Sequence, residues 1–372
     1  MALDHVRDFY HLGAITYDAT NMSTTTPFLF FTRWITHFCA PTFVFLSGVS
    51  ANIAGFRRSR NELSGYLIKR GLWLILVELA VITFALTLNP FFNILILQVI
   101  WAIGASMVLL GLAVRAPISV IGALGLIIFL FHNLLDYLSP QPPGISATVL
   151  QIFLTAKGSV IPLDNSHIVL ALYAILPWTG VMFLGYATGA LFRMEFNAQR
   201  RKRLLLISGF TLIATFIVLR LLNSYGDPST WTIQKDSLFT LMSFLNTSKY
   251  PPSLLYLCMT LGPTLIALTL LEGKQFKFLS VFTVFGRVPF FYYVLHFYTI
   301  RILNVVFFFA YGYESNQINE TNNIFLFRPA SFGFDLATVY LIWLLIVAAL
   351  YYPCKWFGRV KRNNRSEWLS YV

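Results

Sequence analysis

Residues 66–88 read YLIKRGLWLILVELAVITFALTL. Past the basic pair Lys69 and Arg70, the run carries no charge except Glu78. A bilayer's hydrocarbon core takes about 20 apolar residues as a helix, and in lipid only helices and closed barrels satisfy their own backbone. The stretch therefore predicts a transmembrane helix with basic residues at one end. Similar runs recur at roughly 28–55, 92–113, 117–136, 167–192, 203–222, 251–272, 281–311 and 337–356, separated by charged or Pro/Gly/Asn-rich breaks. The alternating pattern of a membrane barrel is missing. Over 372 residues, 57% are hydrophobic and 11% charged, where a soluble domain carries roughly a quarter charged. The expected fold is all-α: a polytopic integral membrane bundle of about nine to ten transmembrane helices, with the first one incomplete. No stretch is left for a separate soluble domain, so residues 1–372 are read as one integral domain, with 1–27 an outer-face segment and 357–372 a cytoplasmic tail.

A formal charge of +12 would suit a nucleic-acid binder, but the basic residues fall in short blocks between apolar runs. They are Arg57, Arg58 and Arg60, then Lys69 and Arg70, Arg200 to Arg203, Lys274 and Lys277, and Lys355 to Arg365. That pattern sets topology and predicts the lipid bilayer as partner, not nucleic acid. With 56–65 cytoplasmic, Arg115, 193–203, 273–280 and the C-terminus fall on the same side. The connections 137–166, 223–250 and 312–336 then lie outside with Asp164, Asp227, Asp236, Glu314, Glu320 and Asp335 against Lys157, Lys235, Lys249 and Arg328. The same alternation puts residues 1–27 at the outer face. Either a membrane segment upstream of Met1 or a short amino terminus buried in protein would account for this. Cys39, Cys258 and Cys354 lie in or beside apolar runs without C-x-x-C spacing, so neither a disulfide framework nor a metal site is expected.

Asp4, Arg7, Asp8 and His11 are spaced i, i+3, i+4, i+7 and share one helix face, which His5 adjoins. Arg33 and His37 repeat the i, i+4 spacing, as do His132 and Asp136, and His296 lies mid-span with Arg301 beyond it. Nearly all map to the outer half of the membrane. Ionisable groups in lipid are costly and face an interior cavity or one another, so a polar site near the outer leaflet is expected. Simpler roles stand beside this one: an interfacial His132–Asp136 pair, a snorkelling Arg33, a packed His296 ring, and a Glu78 that serves helix packing instead of proton relay. Five ionisable groups within residues 4–11 resist such an explanation. Two further stretches are informative. SFLNTSKYPPSLLYLCMTLGP sets Lys249 and Tyr250 before Pro251 and Pro252, read as the first turn of a helix. LPWTGVMFLGYATGA carries Gly180, Gly185 and Gly189, which suit close helix packing or a ligand against backbone.

LDHVRDFYH, THFCAPTFVFLSGVSA, YLIKRGLWLILVE, LPWTGVMFLGY, SFLNTSKYPPSLLYLCMTLGP and FGRVPFFYYVLHFY, in that order, together resemble the bacterial relatives of the heparan-alpha-glucosaminide N-acetyltransferase catalytic domain, within the transmembrane acyltransferase superfamily. Those relatives carry an Arg-Gly and an apolar half-helix ahead of the opening motif. The resemblance implies a bacterial inner-membrane enzyme with a cytoplasmic C-terminus. It would take an acetyl or other acyl group from a CoA thioester, acetyl-CoA, on the cytoplasmic side to an acceptor sugar amine or hydroxyl outside; a homo-oligomer is compatible. It also implies a catalytic His at the outer end of the first helix, here His5, with His11 the second candidate.

Acyl transfer needs a base or nucleophile and donors for an oxyanion. His5 beside Asp4 or Asp8 fits the first role, the carboxylate fixing the imidazole tautomer. Arg7, Arg33 and Lys249 suit anionic groups of donor or oxyanion, and His37, Tyr250 and His296 complete the expected substrate-binding set. The rival reading is a transporter or flippase with an outer-leaflet charged cavity. It predicts Gly/Pro-broken spans at matching positions in two halves, and 28–192 and 203–356 carry no convincing internal repeat.

Overall fold

The computed structural model describes residues 1–137, 144–155, 160–274, 279–319, 324–364 and 369; Lys157, Lys277, Glu320, Arg365 and most of the residues beyond Arg365 lie outside them. In chain order the elements are α1 (Ala2–Tyr10), α2 (Pro27–Thr36), α3 (Cys39–Ala54), α4 (Arg60–Val77), α5 (Thr83–Thr87), β1 (Ile94–Leu97), α6 (Val99–Ala113), α7 (Ile118–Phe131), α8 (Ile145–Leu150), β2 (Val160–Pro162), β3 (Ile168–Ala171), α9 (Ile175–Gly189), α10 (Ala198–Leu222), α11 (Ser237–Leu245), α12 (Leu254–Leu271), α13 (Leu279–Arg287), α14 (Pro289–Ala310) and α15 (Leu336–Asn363). Among the described residues, 8 helices are long and apolar enough to cross a membrane. A ninth, α6, is shorter at 15 residues. The protein is an all-α polytopic membrane bundle.

Several expected spans are corrected at their ends. The apolar residues 94–97 and 168–171 are strands, not helix, and join β2 in a sheet of order β1-β3-β2; β2 and β3 run antiparallel with Ile161 opposite Val169. Leu97, Ile161, Val169 and Ala171 form their own small core. Periodicity cannot separate a short buried strand from the start of a buried helix. Residues 281–311 divide into α13 and α14 at Val288, where Pro289 opens the second helix. Pro251 and Pro252 precede α12 instead of forming its first turn; Ser253 is the N-cap, its Oγ accepting from the Tyr256 N–H. Beyond residue 356 the expected tail stays helical to Asn363, with Lys361 and Arg362 in a last turn that favours cations.

The span from Pro27 breaks between α2 and α3 at His37 and Phe38. Pro41 has no N–H for the carbonyl four residues back, and its ring crowds that carbonyl. The His37 carbonyl accepts instead from the Tyr256 hydroxyl at 2.8 Å.

The chain folds as two compact units, Met1–Thr36 with Ala80–Ile94 and Gly273–Val372, and His37–Leu79 with Leu95–Glu272. In the second, glycines set the helix spacing. A Cβ on Gly185 of α9 would lie 2.1 Å from the Phe45 carbonyl oxygen of α3, and one on Gly48 would lie 2.1 Å from that of Met182. Gly71 and Gly104 pair α4 with α6 in the same way, and Gly209 and Gly262 pair α10 with α12. Lipid tails are as apolar as the helices, so close backbone packing holds such pairs together. Gly180, Gly185 and Gly189 are thus packing residues.

A π turn over Glu78–Ile82 follows α4 and carries the buried Glu78. Its Oε1 accepts from the Gln98 N–H at 2.9 Å, and the carboxylate also takes the N–H groups of Ile100 and Trp101. These are orphan donors at the positive end of α6, so the carboxylate caps a neighbouring helix. Glu78→Ala should lower unfolding stability by about 1–3 kcal/mol. Thermal unfolding of the purified protein checks this, and an unchanged midpoint contradicts it.

In the first unit, α1 packs against α14 and α15, with its Val6, Phe9 and Tyr10 all buried. The Tyr10 hydroxyl donates to the Ile300 carbonyl at 2.6 Å. Past Tyr10 the chain pairs with Phe334: the Phe334 N–H bonds the Tyr10 carbonyl at 2.7 Å and the Leu12 N–H bonds the Phe334 carbonyl at 2.9 Å.

Candidate active site

One turn of α1 carries three charges in sequence spacing that a helix stacks. Arg7 Nη2 lies 3.0 Å from Asp4 Oδ1 and 2.5 Å from Asp8 Oδ1. Arg33 Nη1 reaches both Asp4 oxygens at 2.6 Å. Asp4 thus bridges two guanidiniums within the first unit. Arg7 is 5% exposed, and its Nη1 has no hydrogen-bond partner among the described residues.

Arg7, Asp8, His11 and Arg33 line a cavity of about 550 Å³, together with Asp18 and Tyr17 among others. Two guanidiniums and two carboxylates share its wall, so the charges balance. Burial, helped by the guanidiniums of Arg7 and Arg328 and opposed by Asp335, lowers the His11 pKa; at neutral pH this imidazole is neutral and able to accept a proton.

His5 projects from a different side of α1, half-buried, and its ring packs on Phe297 at 4.3 Å and beside His296 at 5.3 Å between centroids. His296 is fully buried, between Tyr292 and Tyr293. Its Nδ1 lies 3.1 Å from the Tyr292 carbonyl. A carbonyl only accepts, so Nδ1 carries the proton and Nε2 keeps its lone pair. Nε2 is buried with no hydrogen-bond partner among the described residues. Two imidazoles from sequence-distant helices therefore meet, one of them holding an unused basic nitrogen.

The first unit brings together Asp4, His5, Arg7, Asp8, His11, Arg33 and His296. His37, Lys249 and Tyr250 belong to the second unit. There the His37 ring meets Tyr256 edge-on at 5.5 Å. Lys249 is buried, with its Nζ 5.1 Å from the Tyr250 ring centre, and Tyr250 packs against Tyr173 at 5.4 Å.

The loop bearing Lys249 is held by Arg220, Asp227, His132 and Asn133, of which Arg220 and Asn133 were not among the expected site residues. Arg220, at the end of α10, donates to the carbonyls of Ser229, Ser243, Phe244 and Asn246. Asp227 accepts from the N–H groups of Ser229 and Ser248 and from the Ser253 hydroxyl. Burial raises the Asp227 pKa, opposed by those bonds and by Arg220. His132 sends Nε2 to the Pro252 carbonyl at 2.9 Å, and Asn133 accepts from the Leu254 N–H at 2.7 Å. Asp136, the expected partner of His132, takes the Asn133 amide at 2.6 Å and also acts electrostatically on His132. In the first unit Arg328 plays the part of Arg220, donating to the carbonyls of Pro329, Phe332 and His11. An arginine inside or beside an apolar run, near a polar loop, was the available signal in both cases.

Comparison with curated proteins and with solved structures returned no match. The family model of the heparan-alpha-glucosaminide N-acetyltransferase catalytic domain matches residues 8–220. Asp8, His11, Arg33 and His37 fall within that range, whereas Asp4, His5 and Arg7 precede it and Lys249, Tyr250 and His296 follow it. With more than half of its length matched, the chain belongs to the heparan-alpha-glucosaminide N-acetyltransferase catalytic-domain family.

Proposed function

We propose that the protein is a membrane-embedded acetyltransferase that moves the acetyl group of acetyl-CoA, taken from the cytoplasmic side, to an amine or hydroxyl of a sugar on the other side, in a bacterial inner membrane. Family membership supports acetyl transfer. The observation that carries the residue assignment is the contact of His5 with His296, whose Nε2 lone pair is buried and unused, on a helix that also lines a polar cavity.

In this reading His5 is the catalytic imidazole. As base it takes the acceptor's proton while the amine or hydroxyl attacks the thioester carbonyl. As nucleophile it first carries the acetyl group itself. In both cases a C–N or C–O bond replaces the thioester C–S bond, and the acceptor's proton leaves with the CoA thiol. His296 is a positioning residue whose ring, beside that of His5, helps hold the catalytic imidazole against Phe297. Asp4, held by two guanidiniums, is a positioning residue: it keeps Arg7 and Arg33 at the cavity wall. Because Asp4 and Asp8 neutralise those arginines, the cavity suits an uncharged, hydroxyl-bearing acceptor better than a polyphosphate. His11, neutral at pH 7, is a second proton acceptor on that wall.

Proteoliposomes given radiolabelled acetyl-CoA on one side and glucosamine on the other test the reading. Label joined covalently to the sugar, with one CoA thiol freed per acetyl group, is expected. Movement of intact solute without thiol release would make the protein a carrier and contradict it.

A further inference from the structure

The second unit holds a concave site to which the proposed reading has assigned no role. Arg58, Arg60 and Arg193 line a pocket of about 280 Å³ with Asn52, Phe56 and Tyr186, and no carboxylate is among its lining residues. It lies where α3 ends and α4 begins, where α6 gives way to α7, and just past the end of α9.

Each guanidinium is steadied by neutral groups. Arg58 donates to the Ala54 carbonyl at 2.7 Å and sits 4.5 Å over the Tyr66 ring. Arg60 donates to the Arg115 carbonyl at 2.8 Å, and Arg193 sits 5.5 Å over the Phe56 ring. None of the three forms an ion pair with a carboxylate among the described residues. The acid nearest in sequence, Glu62, is engaged in the Ser59 capping box, accepting from the Ser59 N–H at 2.8 Å and its hydroxyl at 2.9 Å. Three guanidiniums therefore line one concavity, with only the charge of Glu62 acting on Arg58 and no carboxylate in direct ion-pair contact among the described residues, an arrangement suited to the oxygens of a phosphate. Asn52 adds a second demand. It is 4% exposed, lines the pocket, and its Oδ1 has no hydrogen-bond partner among the described residues. A buried carbonyl oxygen calls for a donor, which a phosphate diester lacks and a neighbouring hydroxyl supplies.

We infer that this pocket binds a phosphorylated polyol, the phosphate against Arg58, Arg60 and Arg193 and a hydroxyl on Asn52 Oδ1. Two sources share that chemistry: a glycerol-phosphate lipid headgroup and the ribose phosphate of a nucleotide. The nucleotide source rests on the acetyl-CoA reading above; the lipid source does not.

Binding of adenosine 3′,5′-bisphosphate is measured by calorimetry on the purified protein, and retention of phosphatidylglycerol by native mass spectrometry after reconstitution in mixed phosphatidylcholine and phosphatidylglycerol. Wild-type protein should bind at least one of them. Arg58→Gln and Arg193→Gln should each weaken that binding roughly tenfold or more, Arg193→Lys less, and Arg200→Gln, a basic residue that does not line the pocket, not at all. Loss on the bisphosphate arm supports the nucleotide source, and loss on the lipid arm supports the headgroup. Binding of neither probe, or equal losses in Arg200→Gln, overturns the inference. Acetyl transfer is not the readout, so failure here leaves the proposed reaction standing, and failure of the reaction leaves the lipid arm intact.

Discussion

His5→Ala should lower acetyl transfer by about 10²–10⁴-fold with no change in the thermal unfolding midpoint. The size follows from the role: without the imidazole, α1 itself offers no base or nucleophile beside His296. The folded state should tolerate the change because His5 is only half-buried and the helix is anchored by other residues, Val6, Phe9 and Tyr10. Turnover is read from thiol release and midpoint from a fluorescence melt on the same preparation. Unchanged turnover in a folded variant removes His5 from the reaction. A lost fold would show instead that the His5 contacts with Phe297 and His296 are structural.

Gly185→Leu should prevent recovery of folded protein. The added Cβ would lie 2.1 Å from the Phe45 carbonyl oxygen and 3.0 Å from its carbon, so backbone must yield. Ordinary overpacking costs roughly 1–3 kcal/mol because side chains can shift. Here α3 and α9 must separate, and the loss should exceed about 3 kcal/mol. Gly65→Ala is the control, since nothing lies within 4 Å of its added Cβ. Monodisperse yield and melting midpoint in detergent report both variants. A Gly185→Leu protein with wild-type melting would mean that the α3–α9 spacing is not set by these glycines.

The helical spans were legible because lipid leaves the backbone few options, and Lys69 and Arg70 at the end of the 66–88 run are typical of how charge marks their ends. The strands at 94–97 and 168–171 were not legible, because ILIL and IVLA fit a buried strand and a buried helix equally. The break at His37 was present in the sequence as Pro41, whose missing N–H frees the carbonyl four residues back. Of the site, the stacking of Asp4, Arg7 and Asp8 follows from helical spacing alone. The meeting of His5 with His296 does not, since it depends on how α1 packs against α14. Glu78 could be read two ways until its partners were seen to be the first N–H groups of α6. Arg220 and Asp227 organise a loop through several backbone carbonyls and N–H groups at once, and no spacing rule encodes that.

The central claim is that His5 and His296 act as one unit. A double-mutant cycle of His5→Ala and His296→Ala on acetyl-CoA turnover tests it most directly, with melting midpoints confirming that each variant is folded. Residues acting as a unit lose their effects together, so the double variant should turn over no more slowly than His5→Ala alone. A double variant slowed by the product of the two single effects would show that the histidines act independently and would contradict the account.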